Sequence, residues 1–88
     1  MHEDPRLRRL SFRASHRGTK EADLMIGGFF DTYGATWSED QLVWFEALLE
    51  EQDVDIMAWA LGPQPIPPQY QSPMMDAMRK LDFVPIAK

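Results

Sequence analysis

The chain contains no cysteine, which excludes a disulfide framework, a thiolate zinc site and a cysteine nucleophile, and fits a reducing compartment. No apolar run approaches the roughly 18 residues that a membrane-crossing helix needs, and no charged start leads into an apolar core. Neither membrane insertion nor export is expected, and the cytoplasm is the expected location. No segment alternates apolar and polar residues over a strand's length, which argues against a sheet. Histidine is scarce: His2 lies at a terminus expected to fray, and His16 has no second histidine placed to complete a metal site. From Glu21 to Met78 there is no lysine or arginine. With 88 residues there is room for one domain spanning 1–88 and none for a large enclosed pocket.

What is present suits a folded protein. Three Trp, five Phe and six Met in a chain that is 44% hydrophobic can supply the few large side chains on which so small a core depends. The net charge of −5 conceals a division. Residues 1–20 hold six Lys or Arg against two acids, a net +4, and residues 21–88 carry −9. Such asymmetry suggests an oriented binding surface or a basic arm.

Five helices are predicted, making the fold all-α, a compact bundle of short helices. Asp4-Pro5 reads as a cap followed by proline at the first helical position, and Leu7, Leu10 and Ala14 then share one face. A mitochondrial targeting peptide is the rival reading of this basic helix, against which Glu3 and Asp4 argue. The second helix is expected from Gly18 or Thr19 to the Tyr33-Gly34 break, burying Leu24, Met25, Gly28, Phe29 and Thr32. Gly27 and Gly28 there suggest close approach of another helix. Ser38 and Gln41 form a capping box for the third helix, with Trp37 stapled on Leu42 and a core stripe of Leu42, Phe45, Leu48 and Leu49. Asp53 is expected to cap a fourth helix, Val54 to Leu61, with Ile56, Trp59 and Ala60 inward. Residues 62–73 contain five prolines and should run extended, pinned by Ile66 and Tyr70, with a proline-rich recognition ligand as the alternative. Ser72-Pro73 opens a fifth helix through Met74, Met75, Met78 and Leu81 to about Asp82, leaving 83–88 as a tail.

Catalytic constellations are weak. His16 lies between Arg13 and Arg17 and pairs with nothing suited to acid–base work beyond Glu21. Glu50, Glu51, Asp53 and Asp55 attract cations yet lack the order of a calcium loop, so a solvated face with capping duty is the simpler reading. Gly27-Gly28 is no dinucleotide fingerprint. The acidic remainder of the chain opposes nucleic acid.

The unusual stretch is Arg17-Gly18-Thr19-Lys20-Glu21, where the charge blocks meet. An Arg17–Glu21 pair would be in the poorer order, with a cation at a helix N-terminus. The cluster therefore reads as kept for a partner, with Arg17 forking onto a carboxylate or carbonyls and Gly18 admitting a close backbone. Variants at Arg17 and Gly18 are accordingly expected to leave the isolated fold intact.

At these residues the sequence resembles the SdhE-type succinate dehydrogenase assembly factors, or flavinylation factors, whose hallmark is Arg-Gly-x-x-Glu early in a small five-helix protein. Arg17, Gly18 and Glu21 match it, followed by the acidic Asp23. The likeness extends through Phe29-Phe30, Leu48-Leu49-Glu50, Asp53-x-Asp55 and Trp59, over about residues 6 to 82. Ser15 departs from it where relatives often carry a large aromatic, and the 62–73 loop is richer in proline.

The resemblance implies a chaperone rather than an enzyme. It would bind the flavoprotein subunit of succinate dehydrogenase, and in some bacteria that of fumarate reductase, and promote covalent attachment of FAD to a histidine of that subunit. FAD would be attached to the partner and not held stably by this chain. Arg17, Gly18 and Glu21 would form the contact surface, with Arg13, His16, Thr19, Lys20 and Asp23 around them. Two other classes are weighed against it. One is a carrier that binds and delivers FAD, for which the chain offers no cradle of backbone donors; the other is a generic helical interaction module.

Overall fold

Local chemistry at the helix starts sets the element order. In the computed structural model, which describes residues 4–83, the Asp4 carboxylate accepts from the Arg6 N–H at 2.7 Å, and α1 runs Pro5–Ser15. Thr19 caps α2, its hydroxyl accepting from the Ala22 N–H at 3.2 Å. Helix α2, residues 20–33, is composite: α-helical Lys20–Ala22, π-helical Asp23–Gly27 and α-helical Gly28–Tyr33. A 3-10 turn, Gly34–Thr36, replaces the expected clean break. The Ser38–Gln41 capping box opens α3, Glu39–Leu48. Then follow α4, Asp53–Leu61, and α5, Pro73–Lys80, capped by Ser72. Five helices and, among the described residues, no strand make the fold all-α. His2 and residues 84–88 lie outside the described residues.

The π segment accounts for the main departure from the expected core. A π turn holds one more residue than an α turn, and the buried positions of α2 run as adjacent pairs: Met25 with Ile26, and Phe29 with Phe30. Leu24, expected inside, is 45% exposed, and Thr32 also faces out. Met25 and Phe29 are buried as expected. Gly27 performs the anticipated close approach. A Cβ there would meet the Ser15 Cβ at 3.0 Å and the Ser15 Cα at 3.1 Å, so α1 and α2 touch through two small residues.

Aromatic rings fill the centre. Phe45 lies 5.5 Å from Phe30, 5.0 Å from Trp37 and 6.2 Å from Phe29, ring centre to ring centre. Trp37, expected against Leu42, sits among Phe29, Phe30 and Phe45. Leu10 and Ala14 of α1, Ile56, Trp59 and Ala60 of α4, and Met74, Met75 and Met78 of α5 are all buried. Helix α5 ends at Lys80 because Leu81 turns left-handed, at φ 57°, and the chain then folds back. Phe83, read from sequence as part of a tail, is buried 5.1 Å from Phe29. Arg79 donates to the Trp59 carbonyl at 2.6 Å, a cation in the last turn of one helix satisfying a carbonyl in the last turn of another.

The proline-rich segment is anchored as its two large residues suggested, though it is not wholly extended. Pro68–Tyr70 form a short 3-10 turn. Ile66 packs on the core. Tyr70 is buried, 5.3 Å from the Trp59 ring, with its hydroxyl donating to Glu51 Oε2 at 2.6 Å.

Burial first, and the Glu51 carboxylate second, push the Tyr70 phenol up to about 12. Tyr33, bonded to Asp82 at 2.8 Å, is also raised. A phenol whose folded value lies above its unfolded one stabilises fully below the ordinary value of 10 and loses that contribution as pH rises through the folded value. Absorbance titration of the folded protein should therefore show no phenolate step at pH 10, and Tyr70→Phe should remove the step near 12.

Candidate functional site

Helix α1 ends at Ser15 with His16 as its C-cap, and the chain must turn sharply to enter α2. Gly18 makes the turn at φ +113°, a conformation that side-chain-bearing residues rarely adopt. Beyond Gly18 and its two chain neighbours, no atom lies within 4 Å of where its Cβ would stand. Glycine is required here by backbone geometry, and the space beside it is open.

Arg17 holds this turn in place with both backbone and side chain. Its N–H donates to the Asp23 carboxylate, tying the turn to the π segment of α2. Its guanidinium crosses to the α3–α4 connection, where Nε donates to Asp53 Oδ1 at 2.7 Å. Nη2 donates to the carbonyls of Leu49 and Glu51, each at 3.1 Å. Nη1 lies 3.4 Å from the Arg13 carbonyl. With 11% of its side chain exposed, Arg17 forks onto a carboxylate and carbonyls as its chemistry suggested, but these belong to its own chain.

Asp53 is correspondingly reassigned. It is the first residue of α4 and not its cap; Gln52 holds the cap position without a side-chain bond. The four acids read as a solvated face are largely engaged. Glu50 pairs with Arg13 at 2.6 Å, Glu51 accepts from Tyr70 and Asp53 from Arg17. Among the described residues no group of His, Cys, Asp and Glu could hold a metal ion, and no helix is long and apolar enough to cross a membrane.

The remaining motif residues surround this brace. Gly18, Lys20 and Glu21 are exposed, and the side chains of Lys20 and Glu21 form no hydrogen bond or ion pair among the described residues, while the exposed Thr19 serves as the cap of α2. His16 stacks on Phe12, ring centres 3.9 Å apart, and its Nδ1–H donates to the Phe12 carbonyl at 2.8 Å. No Arg17–Glu21 pair forms, as the residue order predicted.

Sequence reasoning placed Leu24 inside, but it is 45% exposed, because the π segment decides which way it faces. It also missed that Arg17 is spent internally. A signal did exist: with no cation between Glu21 and Met78, an acid in α3 or α4 could find a cation only near either end of the chain.

Replacing Arg17 by Ala removes an ion pair and two carbonyl bonds that exclude most solvent, and should cost about 2–3 kcal/mol. Lys cannot fork across three acceptors and should recover less than half of this. Gly18→Ala should cost about 1–3 kcal/mol of backbone strain. Urea denaturation checks all three, and unchanged midpoints would mean the brace carries no stability.

Comparison with known proteins gives one family match, described as Flavinator of succinate dehydrogenase, over residues 8–82. The FAD assembly factor SdhE of Acetobacter pasteurianus is 41% identical over 73 residues, covering 83% of this chain and 67% of that protein. The mitochondrial succinate dehydrogenase assembly factor 2 of Drosophila grimshawi is 32% identical over 85% of this chain and 52% of its own length. That of Danio rerio is 34% identical over 88% and 50% respectively. The chain thus spans two thirds of the bacterial relative and about half of the mitochondrial ones. No solved structure matches it.

Proposed function

The chain belongs to the family of flavinators of succinate dehydrogenase, and from that premise we propose that it binds the flavoprotein subunit of succinate dehydrogenase and promotes covalent attachment of FAD to it. The family match over residues 8–82 carries this reading. The geometry supports it with a rigid corner in which Arg17 is turned inward while Gly18, Lys20 and Glu21 face solvent.

In this reading Glu21 and the Gly18 turn meet the client, and Arg17 and Asp23 are positioning residues. Arg13, bonded to Glu50, and Thr19, the cap of α2, steady the same corner. Lys20 and His16 lie at its rim. The chain contributes no reacting atom. It holds the client's mobile parts so that histidine, flavin and charge-stabilising groups align, an effect that can lower a barrier by several kcal/mol. FAD ends on the client and is not retained here. We read the fumarate reductase flavoprotein as a second client and the cytoplasm as the place of encounter.

Co-expressing the flavoprotein subunit with and without this chain tests the proposal, with covalent flavin read as fluorescence that survives denaturation. The expected result is strong flavinylation with the wild type. Glu21→Ala should give a loss of about tenfold with little change in thermal stability, because the Glu21 side chain makes no hydrogen bond or ion pair among the described residues. Equal covalent flavin whether or not the chain is present would overturn it.

A further inference from the structure

Five arginines lie between residues 6 and 17, and three are neutralised within the fold. Arg6 bridges Glu39 at 2.7 Å and Glu46 at 2.9 Å, Arg13 bridges Glu50 and Arg17 bridges Asp53. The side chains of Arg8 and Arg9 are exposed and make no ion pair or hydrogen bond among the described residues, although the charge of Arg9 is felt at Glu46. Early in α1 they oppose the helix dipole, and no acid in the first turn offsets them. They therefore do nothing evident for the fold.

These two cations flank an exposed ring. Phe12 is 62% exposed, and its stack on His16 holds it in one orientation. Pro5, Arg8, Arg9, Phe12 and Arg13 line an open hollow of about 520 Å³, large enough for a bulky side chain. At helical spacing these residues form a stripe directed away from the buried Leu10 and Ala14. A preorganised aromatic beside arginines is the composition of a binding hot spot.

We propose that this outer face of α1 is a second docking surface for the client named under Proposed function, on which that part of the inference rests. It takes a carboxylate-bearing segment whose apolar side chain enters the hollow against Phe12. Charge complementarity selects the occupant: Arg8 and Arg9 are left unpaired among the described residues, whereas Arg6, Arg13 and Arg17 on the same stretch of chain each meet a carboxylate. A phosphate polymer fits poorly, because two free arginines are set on a body whose residues 21–88 carry −9.

The test is the affinity of the full chain for the isolated flavoprotein subunit, measured by titration calorimetry at low and moderate salt. Arg8→Ala combined with Arg9→Ala should weaken binding about tenfold at low salt and flatten its salt dependence. Lys80→Glu, which changes net charge equally but lies on α5, should change it less than about twofold. Phe12→Ser should weaken binding about tenfold with little effect on salt dependence. Equal effects of the two charge changes would mean diffuse attraction only and overturn the proposal, as would wild-type affinity in the Arg8/Arg9 and Phe12 variants. It would also be overturned if these variants bound the subunit normally while losing affinity for free FAD, a DNA duplex or anionic vesicles. Failure of the wild-type chain to bind the subunit would instead defeat the functional reading, and the client with it.

Discussion

One guanidinium sits where the architecture converges. The last carbonyls of an α-helix have no partner within it, and a cation is favoured at that end while a carboxylate is favoured at the start of the next helix. Arg17 accepts both constraints at once, donating to the Leu49 and Glu51 carbonyls past the end of α3 and to Asp53 at the start of α4. Its own N–H then binds Asp23, so a turn between the first two helices and a turn between the next two are held as one piece. Tyr70 grips the same connection from the other side through Glu51, bringing the proline-rich segment into the assembly. The outward-facing motif residues inherit their rigidity from these contacts.

The charge division takes on a different meaning in this light. A basic block followed by an acidic one suggests a displayed dipolar surface, basic on one helix and acidic on the next. In the folded chain half of the basic block is turned onto α3, α4 and the connection between them, as a ladder of Arg6, Arg13 and Arg17 against Glu39, Glu46, Glu50 and Asp53. The Arg6 contact holds the Glu46 carboxyl below its usual range. Exposed pairs of this kind contribute little singly, but Arg6 and Arg13 along α1 and Arg17 just beyond its end together fix its rotation and leave Arg8, Arg9 and Phe12 facing out.

Helix starts were legible because caps are local chemistry: Asp4-Pro5, Ser38 with Gln41 and Ser72-Pro73 all act where they stand in the sequence. The close approach at Gly27 was legible because a paired glycine in a helix needs a reason. Asp53 was misassigned because an N-cap and a long-range acceptor look alike in sequence, and its partner lies 36 residues away. Phe83 escaped notice because its burial depends on a left-handed residue at Leu81, a type that gives no warning of it. The motif itself could be found from Arg17, Gly18 and Glu21. That its arginine faces inward could not, since local spacing carries no record of which carbonyls end nearby.

The π segment of α2 has a consequence for how the chain tolerates changes of length. Each residue removed from a helix rotates everything beyond it by about 100°. A one-residue deletion within Asp23–Gly27 could be absorbed by reverting to ordinary α-helix, which leaves Gly28–Tyr33 and the buried pair Phe29-Phe30 at nearly their present angle about the helix axis. A one-residue insertion has no such relief, because the wider turn already holds its surplus residue. Length variation here is thus asymmetric, whereas the 62–73 segment, fastened at Ile66 and Tyr70, can lengthen or shorten between its anchors without moving a helix.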